Sequence, residues 1–390
     1  SAQAQTAEVL DPITVVATKT EETAIDSLAS VSVRRQADFN QLMPSKPSDL
    51  FFGMPNVSFS ERGDDPATAI NIRGLQDFGR VAVVIDGARQ NFQKSGHNAN
   101  GAFYLEPELI SGVDVVRGPV ANVYGSGAIG GVVSFQTKDV NDVLLKGEKW
   151  GALAHGTFGS NSARGMASLF LAARPSDMVD VFMGGSYRTQ SNFKAGSNGA
   201  AIPGIVIGKG QEVPNSANEI ATGIGKVTFR PADGHEVKIG AMTLDANYTT
   251  YSGTPSATAS QFRTNHQNNL VTGRWRYSRP DDNLLDWDAN VYWTENNQHQ
   301  LKTAGSSNTS TGAVGDRRDF HLSTIGLDVH NTSRFAFGDT RHAITYAVDA
   351  FRDEVSVYDP GGAQDNFTPS GNRSVYGGFV QWKANYQSWL

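Results

Sequence analysis

Leu169-Phe170-Leu171-Ala172-Ala173-Arg174-Pro175-Ser176-Asp177-Met178-Val179-Asp180-Val181-Phe182-Met183-Gly184-Gly185 reads as strand, tight turn, strand. Successive side chains of a strand point to opposite sides. Leu169, Leu171 and Ala173 therefore share one face of the first run, and Val179, Val181, Met183 and Gly185 share one face of the second. Arg174-Pro175-Ser176-Asp177 between them is turn chemistry, with Pro fixing φ and Ser and Asp able to bond their own backbone. The same texture fills the chain from Lys146 onward. Alternating segments begin near Lys149, Ser162, Met178, Asn218, Gly234, His266, Asn283, Asp319, Arg341 and Arg373. This predicts ten antiparallel strands.

The connections sort by length. Short ones hold Arg174–Asp177, Pro231-Ala232-Asp233-Gly234, Arg279-Pro280-Asp281-Asp282 and Phe337-Gly338-Asp339. Long ones, rich in Ser, Asn, Gly and Thr, run over about 191–217, 246–265, 301–318 and 356–372. Only Gly159-Ser160-Asn161 breaks the rule. Short turns at one end and long loops at the other mark a transmembrane β-barrel; a soluble sandwich, the competing reading, has no reason to sort its loops. All six tryptophans (150, 275, 287, 293, 382, 389) lie in this half, as interfacial girdles require.

Before residue 145 the pattern changes to short apolar runs, Val81-Ala82-Val83-Val84-Ile85 and Val113-Asp114-Val115-Val116, separated by Asp86-Gly87 and Gly118-Pro119. These predict buried strands of a mixed α/β domain. Pro47–Phe52 and Pro107–Ile110 predict short helix starts, with Pro in the first turn. The division expected is 1–20 as a processed N-terminus, 21–145 as a compact domain and 146–390 as the N-terminal part of a barrel. Ten strands are too few to enclose a folded domain, which takes a barrel of about 22. The expectation is thus a longer protein whose barrel continues past Leu390, or two domains that sit apart.

Composition narrows the functions. The chain has 390 residues, 33 Lys plus Arg against 39 Asp plus Glu, a net charge of −6 and no cysteine. There is no basic excess for nucleic acid, and no disulfide scaffold, Cys-ligated zinc, iron–sulfur cluster or thiol nucleophile. No run of 18 apolar residues exists, so no transmembrane helix is predicted. The start, Ser1-Ala2-Gln3-Ala4-Gln5, is small and polar, as expected just after a removed signal peptide. Gly125-Ser126-Gly127-Ala128-Ile129-Gly130 fits G-x-G-x-x-G, but a strand pattern comes next where a dinucleotide site needs a helix. No Gly-x-Ser-x-Gly, paired-carboxylate or His-Glu-x-x-His arrangement occurs, so no enzyme class is supported.

Several motifs together resemble the plug and barrel of TonB-dependent outer-membrane receptors. They are Asp11-Pro12-Ile13-Thr14-Val15-Val16-Ala17-Thr18, Asn71-Ile72-Arg73-Gly74, Arg80 to Arg89, and Val113-Asp114-Val115-Val116-Arg117-Gly118-Pro119 through Tyr124 to Val133. The resemblance covers about 11–140 closely and the strand half in pattern. It implies a plug followed by an antiparallel barrel of the 22-stranded type, located in the bacterial outer membrane, with TonB and its inner-membrane energising complex as partner. Ile13, Thr14, Val15, Val16 and Ala17 would be the TonB box, an extended segment able to add to a partner's sheet edge. Arg73 and Arg117 would form plug–barrel ion pairs.

Arg89-Gln90, Gly96-His97-Asn98 and Gly101-Ala102-Phe103-Tyr104-Leu105-Glu106-Pro107 resemble the haem-uptake branch. There His97 matches an axial ligand of haem iron, a role that suits neutral imidazole. The cargo implied is haem, free or on a haem-carrying protein, with no intrinsic cofactor. The branch's second ligand comes from a later barrel loop with a Phe-Arg-Ala-Pro motif that is absent here. Strand topology places His299, His321 and His266 at outer strand ends as candidates for it, and leaves His235, His330 and His342 at the other end. Arg89 could pair with porphyrin carboxylates and Tyr104 could stack on the ring. Lys94 reads as surface charge. A ferric-siderophore receptor is the alternative cargo class, and a passive porin or adhesin the alternative outside transport.

Overall fold

A computed structural model describes residues 13–14, 22–23, 29–76, 80–92, 101–119, 128–198, 210–252, 258–308, 310–360 and 368–386. Two short strands, β1 (Ile13–Thr14) and β2 (Glu22–Thr23), pair antiparallel. Then come β3 (Ser30–Arg35), a helix over Gln36–Leu42, a 3₁₀ turn over Pro47–Phe51, β4 (Val57–Arg62), β5 (Asp65–Ile72), β6 (Val81–Ile85), β7 (Ala88–Arg89) and β8 (Ala102–Phe103). A second 3₁₀ turn, Pro107–Leu109, leads into β9 (Ile110–Arg117), and β10 (Gly131–Thr137) completes this part. Both proline-led segments expected as helix starts are 3₁₀ turns.

Five of these strands form one mixed sheet in the order β3-β9-β10-β6-β7, with β10 and β6 parallel. A second sheet runs β4-β5-β8. The apolar runs lie at the centre of the first sheet, so β6 and β9 are buried almost throughout. Such two-sided burial explains why their sequences are continuous and not alternating. Gly131 has φ of +143°, and a Cβ there would lie 2.1 Å from the Val116 carbonyl oxygen, so only glycine lets β10 approach β9.

The other ten strands form a single antiparallel sheet with nearest-neighbour order throughout. They are β11 (Trp150–Thr157), β12 (Gly165–Ser176), β13 (Val179–Gln190), β14 (Asn218–Phe229), β15 (His235–Tyr251), β16 (Gln261–Ser278), β17 (Asp286–Ala304), β18 (Arg317–Phe337), β19 (Thr340–Tyr358) and β20 (Gly371–Tyr386). Nine of the ten expected starts lie within about three residues of the observed ones; the sixth strand starts at Gln261 and not near His266. Among the described residues the first and last of these strands do not pair with each other.

The sheet is inside-out by the standards of a soluble protein. On β17, Asp288, Asn290, Thr294, Asn296, Gln298, Gln300 and Lys302 are buried, while Val291 is 58% exposed. On β18, Thr324 is buried and Ile325 is 62% exposed. Apolar exposure forms a band: Ile239 and Ala241 on β15, Val271 and Trp275 on β16, Val291 and Trp293 on β17, Ile325 and Leu327 on β18. Beyond it, toward the long loops, the outward residues turn polar, as at Arg263, Asn265 and Gln267. The strands therefore run past the roughly 9–11 residues a bilayer needs. Trp275 packs edge-on against Trp287 at 5.8 Å on the short-turn side of the band. Among the described residues no helix is long and apolar enough to cross a membrane.

The two parts do not sit apart. One buried cluster joins Leu50, Ile72, Ile85, Leu109, Ile110 and Phe135 of the first part to Phe170, Phe182, Met242, Leu270 and Phe351 on the inward face of the ten-stranded sheet, the wall. Each fully buried side chain of this size contributes about 1.5–3 kcal/mol.

Candidate ligand site

At the long-loop end of the wall a second apolar cluster, the bowl, gathers Phe92 and Tyr104 from the first part with Ile220, Leu244, Ala246, Tyr248, Phe320 and Leu322 from the strands. Phe92 precedes and Tyr104 follows the segment that carries His97. His97 and Lys94 lie outside the described residues, as do Val15, Val16 and Ala17. Both ends of that segment are nevertheless fixed. Ala102 and Phe103 pair with Ala69 and Thr68 of β5. Tyr104 is buried, its hydroxyl 2.7 Å from that of Tyr248. Burial pushes its phenol well above the ordinary value, and Asp65 adds in the same direction. A neutral phenol suits packing and hydrogen bonding better than iron ligation, which draws on the phenolate.

His266 is completely buried here. Its ring stacks on Tyr104 at 3.6 Å between centroids and meets Phe92 edge-on at 4.9 Å. It projects inward because it shares strand parity with Thr264 and Asn268. His299 and His321 do not. His299 shares the outward face of β17 with Val291 and Trp293 and pairs with Asp319 at 2.6 Å. His321 shares the outward face of β18 with Ile325 and contacts Asn297 at 2.6 Å. Both stand at the long-loop end as expected, but on the side of the wall turned away from the bowl, which corrects their candidacy.

Below the bowl, charge holds the two parts together with the opposite polarity to that expected. The first part supplies carboxylates and the wall supplies cations. Arg188 donates twice to Glu106, at 2.9 and 2.7 Å, and Glu106 is 1% exposed. Glu108 accepts from Ser168 at 2.8 Å and faces His155 at 3.0 Å. Lys226 meets Asp86 at 3.2 Å, and Lys238 pairs with Asp139. Others run the other way, with Asn91 donating to Asp353 of the wall at 3.1 Å and Arg62 donating to the Tyr251 carbonyl at 2.9 Å.

Among the described residues neither Arg73 nor Arg117 forms an ion pair with the wall. Arg117 donates to the Pro55 carbonyl at 2.9 Å and to Ser32 at 2.7 Å, all within the first part; burial and then Arg73 lower its pKa. Arg73 is exposed, at φ of +52° in the turn before Gly74. Arg89 lies three residues before Phe92, the last described residue ahead of the His97 segment. It is buried on β7 with its guanidinium 4.6 Å from the centre of Phe351.

The sequence reading missed Glu106, Arg188, Asn91 and Asp353. Only Glu106 carried a signal, as part of the quoted Tyr104-Leu105-Glu106-Pro107 motif. Its partner is 82 positions away, on a strand whose inward face is polar throughout its outer half.

Residues 23–132 match the family model described as the TonB-dependent receptor plug domain. The TonB-dependent heme receptor A of Haemophilus influenzae is 22% identical over 394 residues, covering 91% of this chain and 50% of that protein. The hemin receptor of Yersinia enterocolitica is 26% identical over 374 residues, covering 92% of this chain and 48% of that protein. The solved structure of a double mutant of the Serratia marcescens hemophore receptor HasR, in complex with its hemophore HasA and heme, superposes with a TM-score of 0.80 at 24% identity. It covers 93% of this chain and 50% of that one, and establishes likeness of fold. The chain spans about half the length of the curated relatives it matches.

Proposed function

We propose that this chain, which belongs to the TonB-dependent receptors, serves the active import of haem across the bacterial outer membrane. One observation carries the cargo: the relatives that align along nine-tenths of the chain are heme and hemin receptors. The division proposed is 1–20 for the coupling segment, 21–145 for the plug and 146–390 for ten strands of a barrel of the 22-stranded type. The outward apolar band of those strands supports a lipid surround. The role is transport and not catalysis.

In this reading haem is held at the long-loop end, over the bowl that anchors both ends of the plug loop. His97 supplies an axial imidazole. Tyr104 and Phe92 line the apolar seat, and His266 is its floor, covered by Tyr104 and not itself on the iron. The inner-membrane partner TonB draws on Ile13–Ala17. Ile13 and Thr14 pair with Thr23 and Glu22, so strand addition to the partner displaces that pairing.

The test is an optical titration of the complete receptor with haemin, wild type against His97→Ala. A sharp Soret band that weakens in the mutant supports haem and the ligand together. No band in either protein moves the cargo to ferric siderophores. Equal bands in both keep haem and move the ligand. Deletion of 13–17 should leave the band intact and abolish uptake.

A further inference from the structure

Between the plug and the wall, on the side of the short turns, lies a cavity of about 850 Å³. That is within the range of sites for small organic ligands. Plug residues Asp86, Gly87, Arg89 and Gln136 line one side, and wall residues Lys226, Arg274, Asn290 and Tyr292 the other. At its far end the cavity reaches the turn residues Arg279, Pro280 and Asp282. It is distinct from the bowl, which is built at the long-loop end.

The cations around it are mostly matched. Lys226 has Asp86, Lys238 has Asp139, Arg274 has Asp288 and Arg334 has Asp286. Arg89 is different. It is 8% exposed and stacked on Phe351, and among the described residues its Nη2 has no hydrogen-bond acceptor. A buried guanidinium N–H without an acceptor is costly, and it persists where something else supplies the partner. The planar guanidinium fork fits a carboxylate better than any other common anion except phosphate. Asn290, on the opposite wall, also has a buried side-chain oxygen without a partner.

The connection to the bowl is short. Arg89 and Phe92 are three residues apart, about 10 Å in extended chain. Asn91 between them is tied to Asp353 of the wall, so this segment bridges the two sites in a fixed position. Gly87 sits so close to the wall that a Cβ would lie 2.6 Å from the Asn290 amide nitrogen.

We propose that this cavity is an inner station on the import route, where Arg89 receives a carboxylate of the cargo after the cargo has left the bowl. The inference rests on the haem reading, since haem carries two such carboxylates on an otherwise apolar body. Arg89 then contributes to passage and not to capture.

The experiment uses the complete receptor with haemin, reading Soret titration for capture and uptake by energised cells for passage. Arg89→Gln is expected to bind haemin within twofold of wild type and import it at least tenfold more slowly, with partial recovery in Arg89→Lys. Asn290→Asp, which places a rival carboxylate at the cavity, is expected to slow import without changing capture. Haemin dimethyl ester, whose carboxylates are capped, should enter wild-type cells at the slow rate. Import at the wild-type rate by Arg89→Gln overturns the station, and so does a parallel loss of capture. Should Arg89→Gln not assemble, an ester imported as fast as haemin overturns it instead. Failure of the wild type to bind haemin at all overturns the cargo reading, and this inference with it.

Discussion

His266 lies face to face with Tyr104, their ring centroids 3.6 Å apart and their planes 20° from parallel. One ring belongs to the wall and the other to the plug, at the residue where the plug loop re-enters the fold. The Tyr104 hydroxyl adds a 2.7 Å hydrogen bond to Tyr248, also on the wall. The loop's return is thus fixed by a stack and a hydrogen bond to two different strands. His266→Ala removes the floor of the bowl and should loosen residues 101–105. Tyr104→Phe keeps the stack and loses about 1 kcal/mol of hydrogen bonding. Hydrogen exchange at these amides should rise strongly in the first variant and slightly in the second. Equal protection in His266→Ala and wild type would show that the stack does not hold the loop.

The Glu106–Arg188 pair should behave as a buried ion pair. Removing one partner leaves the other charge buried and uncompensated, a loss of about 3–5 kcal/mol, whereas removing both with size-matched apolar groups costs far less. Arg188→Met should therefore sharply increase proteolysis of the plug, and Glu106→Leu with Arg188→Met should restore most of the resistance. A double variant as labile as the single one would mean that the pair does not couple plug to wall.

Legibility of the fold in the sequence depends on where the physics leaves a pattern. Inside the apolar band one face is exposed and apolar and the other meets the plug, so alternation is strong and marks the strands clearly. Above the band both faces are polar: Arg263, Asn265 and Gln267 face outward while Thr264 and Asn268 face inward. Alternation vanishes there, which is why the expected start of the sixth strand falls five residues late. The outward direction of His299 and His321 is available from parity, since both share a face with the apolar band. The ion pairs are not available. Glu106 and Arg188 are separated by a helical turn, several strands' worth of chain and a loop, and nothing local marks which inward charges will meet.

Acid should loosen the plug through Asp139. Burial works to raise its pKa, but the ammonium groups of Lys238 and Lys226 outweigh it, so the folded value lies below the ordinary carboxylate one. A lowered folded pKa means that the docked plug favours the ionised form. The contribution is complete above the unfolded value, near pH 4, and is lost as pH falls through the lowered folded value. Plug release followed by protease sensitivity should rise below about pH 4 in the wild type. Asp139→Asn should be weaker at neutral pH and show a shallower acid limb. An unchanged acid limb in that variant would assign the transition to other carboxylates.

The outward band makes the sharpest stability prediction, because neighbouring positions on one strand face different surroundings. Ile325 is 62% exposed within the apolar band, whereas His321, four residues toward the long loops on the same face, stands among Asp319, Ser323 and Asn297. If lipid surrounds the band, an arginine at 325 must either be desolvated or drag water into the bilayer, at a cost of about 2–4 kcal/mol near the midplane. The same residue at 321 stands beyond the hydrocarbon and costs about 0–1 kcal/mol. Refolding the complete receptor into lipid vesicles, with Ile325→Arg and His321→Arg compared against wild type in denaturant titrations, should separate the two by at least an order of magnitude in the folding equilibrium. Similar small effects at both positions would place Ile325 in water and would remove the membrane reading of the sheet.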